Sequence, residues 1–188
     1  MITAFVRRGK FYWAFWVLCL LTVGDWGAVA QSQTAGEDEI KSALIYNFVK
    51  FITWPDASFK NPNEPFLICM MTEDRSSNMM KASLKDKEVK GRVINVALSD
   101  DVQSLKGCQV FFISSSQNAK AAEVLSKIKS KYLLTIGESD GFAKSGGIIG
   151  LYKEGGKLRF EINVEAADRA DLKISSKLLS LGTITKNN

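Results

Sequence analysis

The 188-residue chain contains no histidine. A Ser-His-Asp triad, a Cys-His dyad and a histidine metal cage are therefore excluded, and with them the commonest devices of catalysis near neutral pH. Zinc and calcium ligand spacings are missing as well. Ser126 and Lys129 match Ser-x-x-Lys but lack the motifs that accompany it in serine-lysine enzymes. The glycine-rich stretch around Gly150–Lys157 approaches a phosphate loop, yet Leu158 stands where a hydroxyl must hold magnesium. No cofactor, no metal and no catalytic residue are expected, and the chain reads as a non-enzyme. Proline is nearly as scarce, with three residues, all between positions 55 and 65, so strong punctuation is confined to that loop.

What is present begins with an export address. Arg7, Arg8 and Lys10 precede an apolar run from Phe11 to Val23, too short to span a bilayer comfortably, and Ala28-Val29-Ala30 offers small-x-small spacing before Gln31. Residues 1–30 read as a secretory signal peptide with cleavage after Ala30, leaving residues 31–188 as one domain that does not span a membrane. The leader takes three basic residues and one acidic residue with it, so the mature part carries 22 basic and 19 acidic residues. No basic cluster interleaved with aromatics remains, and nucleic acid is set aside as a partner. Cys19 leaves with the leader. Cys69 and Cys108 remain, an even pair in an oxidising compartment. They are either bridged or two buried thiols. A bridge would close a loop of about 40 residues, for which chain entropy gives roughly 4 kcal/mol. Cys69 falls late in one strand and Cys108 just before another, and simple parallel register would hold them apart.

Thr34 and Glu37 have capping-box spacing, which predicts a helix from Glu37 to Ile52 with Ile40, Leu44, Phe48 and Ile52, joined by Ile45 and Val49 on a neighbouring row, as its buried stripe. Trp54-Pro55 stops it. Strands follow at Phe66–Met71, Val93–Leu98, Val110–Ile113 and Tyr132–Ile136, with helices over 75–87 and after Asn118 as a cap. Ile148–Tyr152 and Leu158–Asn163 flank Gly155-Gly156 as an antiparallel hairpin. Two short helices, Val164–Ala170 and Ile174–Leu181, close the chain, the first capped by Asn163 and the second stopped by Gly182. Strands alternating with helices, then a hairpin and two helices, predict a single three-layer α/β domain with a mixed, partly parallel sheet.

Arg159, Glu161 and Asn163 share one face of the last strand, opposite Leu158, Phe160 and Ile162. With Arg169, Lys173, Ser175 and Lys177 around the last helices they form a candidate binding face, for a protein partner or a small anion; the alternative is a solvated surface. Trp54, Phe51, Phe59 and Phe66 surround the proline-rich loop, either as a lid on the core or as an exposed recognition patch.

Several segments together resemble one family: Ala43–Phe51 (ALIYNFVKF) followed by Trp54-Pro55, then Phe66-Leu67-Ile68-Cys69, then Leu105–Ser114 (LKGCQVFFIS), Gly146-Gly147-Ile148-Ile149, Arg159–Asn163 (RFEIN) and Leu172–Leu179 (LKISSKLL). The family is that of YfiR, exported proteins of Gram-negative bacteria, and the resemblance covers nearly all of the mature chain. It implies an α/β fold, a periplasmic location and a homodimer. It also implies repression of an inner-membrane diguanylate cyclase of the YfiN type, and hence a role in cyclic-di-GMP signalling, with sensitivity to cysteine oxidation. Cys69 and Cys108 match one cysteine pair of YfiR; the second pair has no counterpart between Ser145 and Tyr152.

Overall fold

The computed structural model describes residues 26–71, 74–99, 105–128 and 130–187. The predicted leader up to residue 25 lies outside them. Among the described residues no helix is long and apolar enough to cross a membrane. The compact domain comprises Glu37–Asn188.

In chain order the elements are α1 (Trp26–Phe51), β1 (Ile52–Thr53), β2 (Phe66–Met71), α2 (Arg75–Leu84), β3 (Glu88–Val89), β4 (Arg92–Ser99), β5 (Val110–Ile113), α3 (Asn118–Lys127), β6 (Leu134–Gly137), β7 (Ile149–Glu154), β8 (Lys157–Asn163), α4 (Val164–Arg169), β9 (Lys173–Ile174), α5 (Ser176–Leu179) and β10 (Thr183–Thr185). Eight strands form one sheet in the order β10-β8-β7-β6-β5-β2-β4-β3, and β1 pairs with β9 apart from it. The pairs β4-β2, β2-β5, β5-β6, β6-β7 and β8-β10 are parallel; β7-β8 and β3-β4 are antiparallel. This is the mixed sheet that the strand-helix alternation predicts.

The apolar strands are buried on both faces because each face meets helices. On β2, Ile68 and Met70 join the larger core while Cys69 and Met71 join the smaller; on β5, Val110 and Phe112 divide from Phe111 and Ile113 in the same way. The larger core is completed by α1, α2, α4 and α5 through Phe48, Met80, Leu84, Ala167 and Leu178. The smaller is covered by α3 through Ala121 and Val124. Strand β4 follows β2 on one side and β5 returns on the other, so the winding reverses between β2 and β5. In open α/β sheets, ligands sit beyond the carboxyl ends of the strands at such a reversal.

Several elements differ from the sequence expectation for local reasons. Helix α1 continues upstream of Glu37, so Thr34 does not start it. Of its expected stripe, Ile45, Phe48, Val49 and Ile52 are buried, whereas Ile40 is 54% exposed. Asn118 has helical φ and ψ and is the first residue of α3 rather than its cap. Asn163 does cap α4, accepting from the Ala166 N–H at 2.9 Å. The last predicted helix is split: Lys173-Ile174 pair with Thr53 and Ile52 as a short strand, and Ser175 caps the four-residue α5. The sequence also predicts the hairpin at one edge of the sheet, but the short β10 adds outside β8. Gly155 and Gly156, at φ of 57° and 75°, make the tight turn the hairpin needs.

Candidate functional site

The buried face of α1 follows the helical series Asp38, Lys41, Ser42, Ile45, Phe48 and Val49, each less than a tenth exposed. Its middle, from Asp38 to Ser42, therefore buries charge, and α1 carries that charge to the carboxyl ends of β5 and β6. The Lys41 ammonium lies 2.8 Å from Glu138, which directly follows β6, 3.1 Å from Glu37 and 3.9 Å from Asp38. The second Glu138 oxygen accepts from the Ser115 N–H at 2.8 Å, just past β5. Glu37 also holds Lys153 of β7 at 2.7 Å. Asp38 accepts from the Ser76 hydroxyl at 2.5 Å, and Ser116 donates to Asp74, the cap of α2, at 3.1 Å. The network thus reaches from β7 to the point where the winding reverses. A cavity of about 370 Å³ opens over it, walled by Leu151, Tyr152 and Leu158.

Burial acts against the charges of Lys41 and Glu37, and the neighbours outweigh it. Burial pulls the Lys41 ammonium down, but Glu138 and Glu37 hold it above the ordinary lysine range. Burial pushes the Glu37 carboxyl up, but Lys153 and Lys41 hold it below the ordinary carboxylate range. Glu37 and Lys41 are therefore charged at neutral pH. A desolvated pair of this kind contributes little net stability, yet removing one member leaves an uncompensated charge. It fixes the orientation of α1 on the sheet top and presents a polar, ordered rim. Extending the helical series backwards from Ile45 leads to Lys41 and Asp38; a stripe read from apolar residues alone passes over them.

The seven residues of the expected binding face fall in different settings. Arg159 is exposed on β8, with Nε 3.7 Å from Glu154. Glu161 packs over Gly150 on the neighbouring strand. Asn163 is fully buried; besides capping α4 it donates to the Ala143 carbonyl at 2.7 Å. Arg169 is exposed at the end of α4, beside a cavity with Lys131 and Leu133. Lys173 is exposed opposite Thr53, Ser175 caps α5, and the Lys177 ammonium lies 5.1 Å from the centre of the Phe51 ring. Arg159 and Glu161 lie on β8, while Lys173, Ser175 and Lys177 gather around β1, β9 and α5. The aromatic cluster is mainly a lid: Trp54 and Phe66 are buried edge-to-face at 4.9 Å, and the indole N–H donates to the Tyr132 carbonyl.

Cys69 and Cys108 form a disulfide, with Cα atoms 5.9 Å apart. The parallel register sets Cys69 beside Phe111, three residues beyond Cys108. The expected separation does not arise because Cys108 is in a turn, its N–H bonded to the Leu105 carbonyl, and not on the strand. Gln109 fixes the crossing: its backbone N–H donates to Leu67 O, its side-chain oxygen accepts from Leu67 N, and its side-chain amide donates to Ser58 O. The bridge staples the return of the chain to β5 onto the smaller core.

No curated protein matches the sequence. A solved ABC domain from Streptococcus pneumonia, crystallised in complex with L-Trp, is similar in fold, with a TM-score of 0.50 at 10% identity over 64% of this chain and 55% of that one. The chain thus spans about half the length of that protein, and the likeness is one of fold. Residues 38–183 match the family described as YfiR/HmsC-like, DUF4154. That span runs from the buried charges of α1 to the first residue of β10 and takes in both bridged cysteines, so the chain belongs to the YfiR/HmsC-like family.

Proposed function

We propose that this chain is a periplasmic regulator that represses an inner-membrane diguanylate cyclase of the YfiN type by binding its periplasmic region. The observation that carries the reading is the family match across residues 38–183, nearly the whole compact domain. Family membership supports the general statement, a periplasmic regulator of cyclic-di-GMP signalling rather than an enzyme; the cyclase as direct partner is the finer step. A bound regulator shifts a cyclase between states only if it binds the inactive state more tightly than the active one. The binding surface therefore has to be held in one shape. The Cys69–Cys108 bridge and the Lys41 cluster supply that rigidity, and reduction of the bridge is the natural point at which redox conditions loosen it.

Immobilised residues 31–188, oxidised or reduced, are incubated with solubilised envelope membranes and the retained proteins identified. The expected result is recovery of a membrane protein with a cyclase domain, more from the oxidised form. Recovery of no signalling protein in either state would defeat the proposal.

A further inference from the structure

The cavity over the Lys41 cluster lies at the carboxyl ends of β5, β6 and β7, beside Ser115, Glu138 and Lys153. Open α/β sheets hold ligands beyond those ends, and about 370 Å³ suits a small molecule. Its lining carries three carboxyl groups, on Glu37, Glu138 and Asp140, against two amines, on Lys41 and Lys153, so negative charge is in excess by one. Both amines are taken. Lys41 is ringed by Glu37, Asp38 and Glu138, and Lys153 is held by Glu37. Two acceptors are not. Glu138 Oε1 belongs to a side chain only 7% exposed; it has the Lys41 charge beside it at 2.8 Å, but no donor among the described residues is aligned to hydrogen-bond it. Asp140 is exposed in the turn closed by the Phe142 N–H on the Ser139 carbonyl, and its side chain has no partner among the described residues. The rest of the wall is apolar, with Leu151 buried and Tyr152 and Leu158 half-buried.

We propose that this cavity binds a small organic cation, a primary ammonium on a short apolar body. The ammonium donates to Glu138 Oε1 and Asp140, and the body lies against Leu151, Tyr152 and Leu158. An ammonium has three donors and no acceptor, so it serves both open oxygens and cancels the excess charge. A neutral alcohol brings one donor and no charge. A carboxylate meets Glu138 and Asp140 as a like charge, and the carboxylate of an amino acid finds both lining amines already engaged. An inorganic cation leaves the apolar wall unused. The site stands whichever membrane protein is the partner.

The test is calorimetric titration of residues 31–188 with phenethylamine, phenylethanol, phenylalanine and phenylpropanoate, which share one apolar body and differ in charge. Phenethylamine should bind at least about tenfold more tightly than the other three. The amide resonances of Ser115, Glu138 and Lys153 should shift as it binds. Asp140→Asn, at an exposed side chain that holds nothing in place, should weaken binding about tenfold with the unliganded melting temperature unchanged. Glu138→Gln should weaken it too; if that variant fails to fold, Asp140→Asn and the ligand series decide the matter. No phenethylamine binding at about 10 mM overturns the proposal. So does equal binding of any of the other three compounds, an Asp140→Asn variant that binds as the native chain does, or shifts confined to amides elsewhere.

Discussion

The two faces of the sheet are held in different ways. Among the described residues the larger core contains more than twice as many buried apolar side chains as the smaller, and four helices cover it against one. The larger face is held by area. The smaller, under α3, relies on two local devices. One is the disulfide between β2 and the turn before β5. The other is Phe142, whose ring fills the space between Gly137 and Gly147 so closely that a methyl group on either glycine would overlap it. A thin layer gains disproportionately from a crosslink because it has little apolar area to offset the loss of chain entropy. The disulfide thus sits on the face least able to do without it.

Adjacent residues of β5 break the comparison most directly. Phe112→Ala, on the larger face, should cost toward the top of the roughly 3–5 kcal/mol expected for a buried phenylalanine; Phe111→Ala should cost less, because fewer apolar neighbours lose contact. Denaturant melts of both variants check this, and equal costs would remove the distinction. Replacing both cysteines by alanine should cost about 4 kcal/mol, the chain-entropy value for a loop closed over a separation of 39 residues. The same loss should follow reduction of the native chain. Gly147→Ala should cost about 1–3 kcal/mol through displacement of the Phe142 ring, measured in the same melts.

The fold was largely legible in the sequence because its strands are short apolar runs bounded by turns: Phe66–Met71 and Val110–Ile113 lie where the sequence puts them. Strands β1, β9 and β10 were not legible. Two or three residues carry no periodicity, and their extended form depends on pairing with distant segments. The cysteine pair was visible from compartment and parity, but the turn that makes it possible was not. Of the expected binding face, alternation placed Asn163 with Arg159 and Glu161, whereas the fold buries Asn163 to cap α4. The Lys41 cluster was missed because hydropathy counts a buried ion pair as a solvent-facing break.

The pH dependence of stability concerns that cluster. The Glu37 carboxyl titrates lower in the folded than in the unfolded chain, so its contribution is present above the ordinary carboxylate range and lost as pH falls through its depressed folded value. The Lys41 ammonium titrates higher when folded, so its contribution is present below the ordinary lysine range and lost as pH rises through its raised value. Stability should therefore plateau between these limits. Glu37 is partly exposed, so its share of the acid slope is modest. Lys41→Met should flatten both slopes while lowering the plateau by about 3 kcal/mol, since Glu138 is left buried without its partner. Denaturant midpoints across pH measure this.

Regulation itself is tested by reconstituting the membrane cyclase in vesicles and measuring cyclic-di-GMP formation as residues 31–188 are added on the periplasmic side. Output should fall with the oxidised chain and recover when the Cys69–Cys108 bridge is reduced. Unchanged output at saturating amounts of the oxidised chain would contradict the repression at the centre of this account.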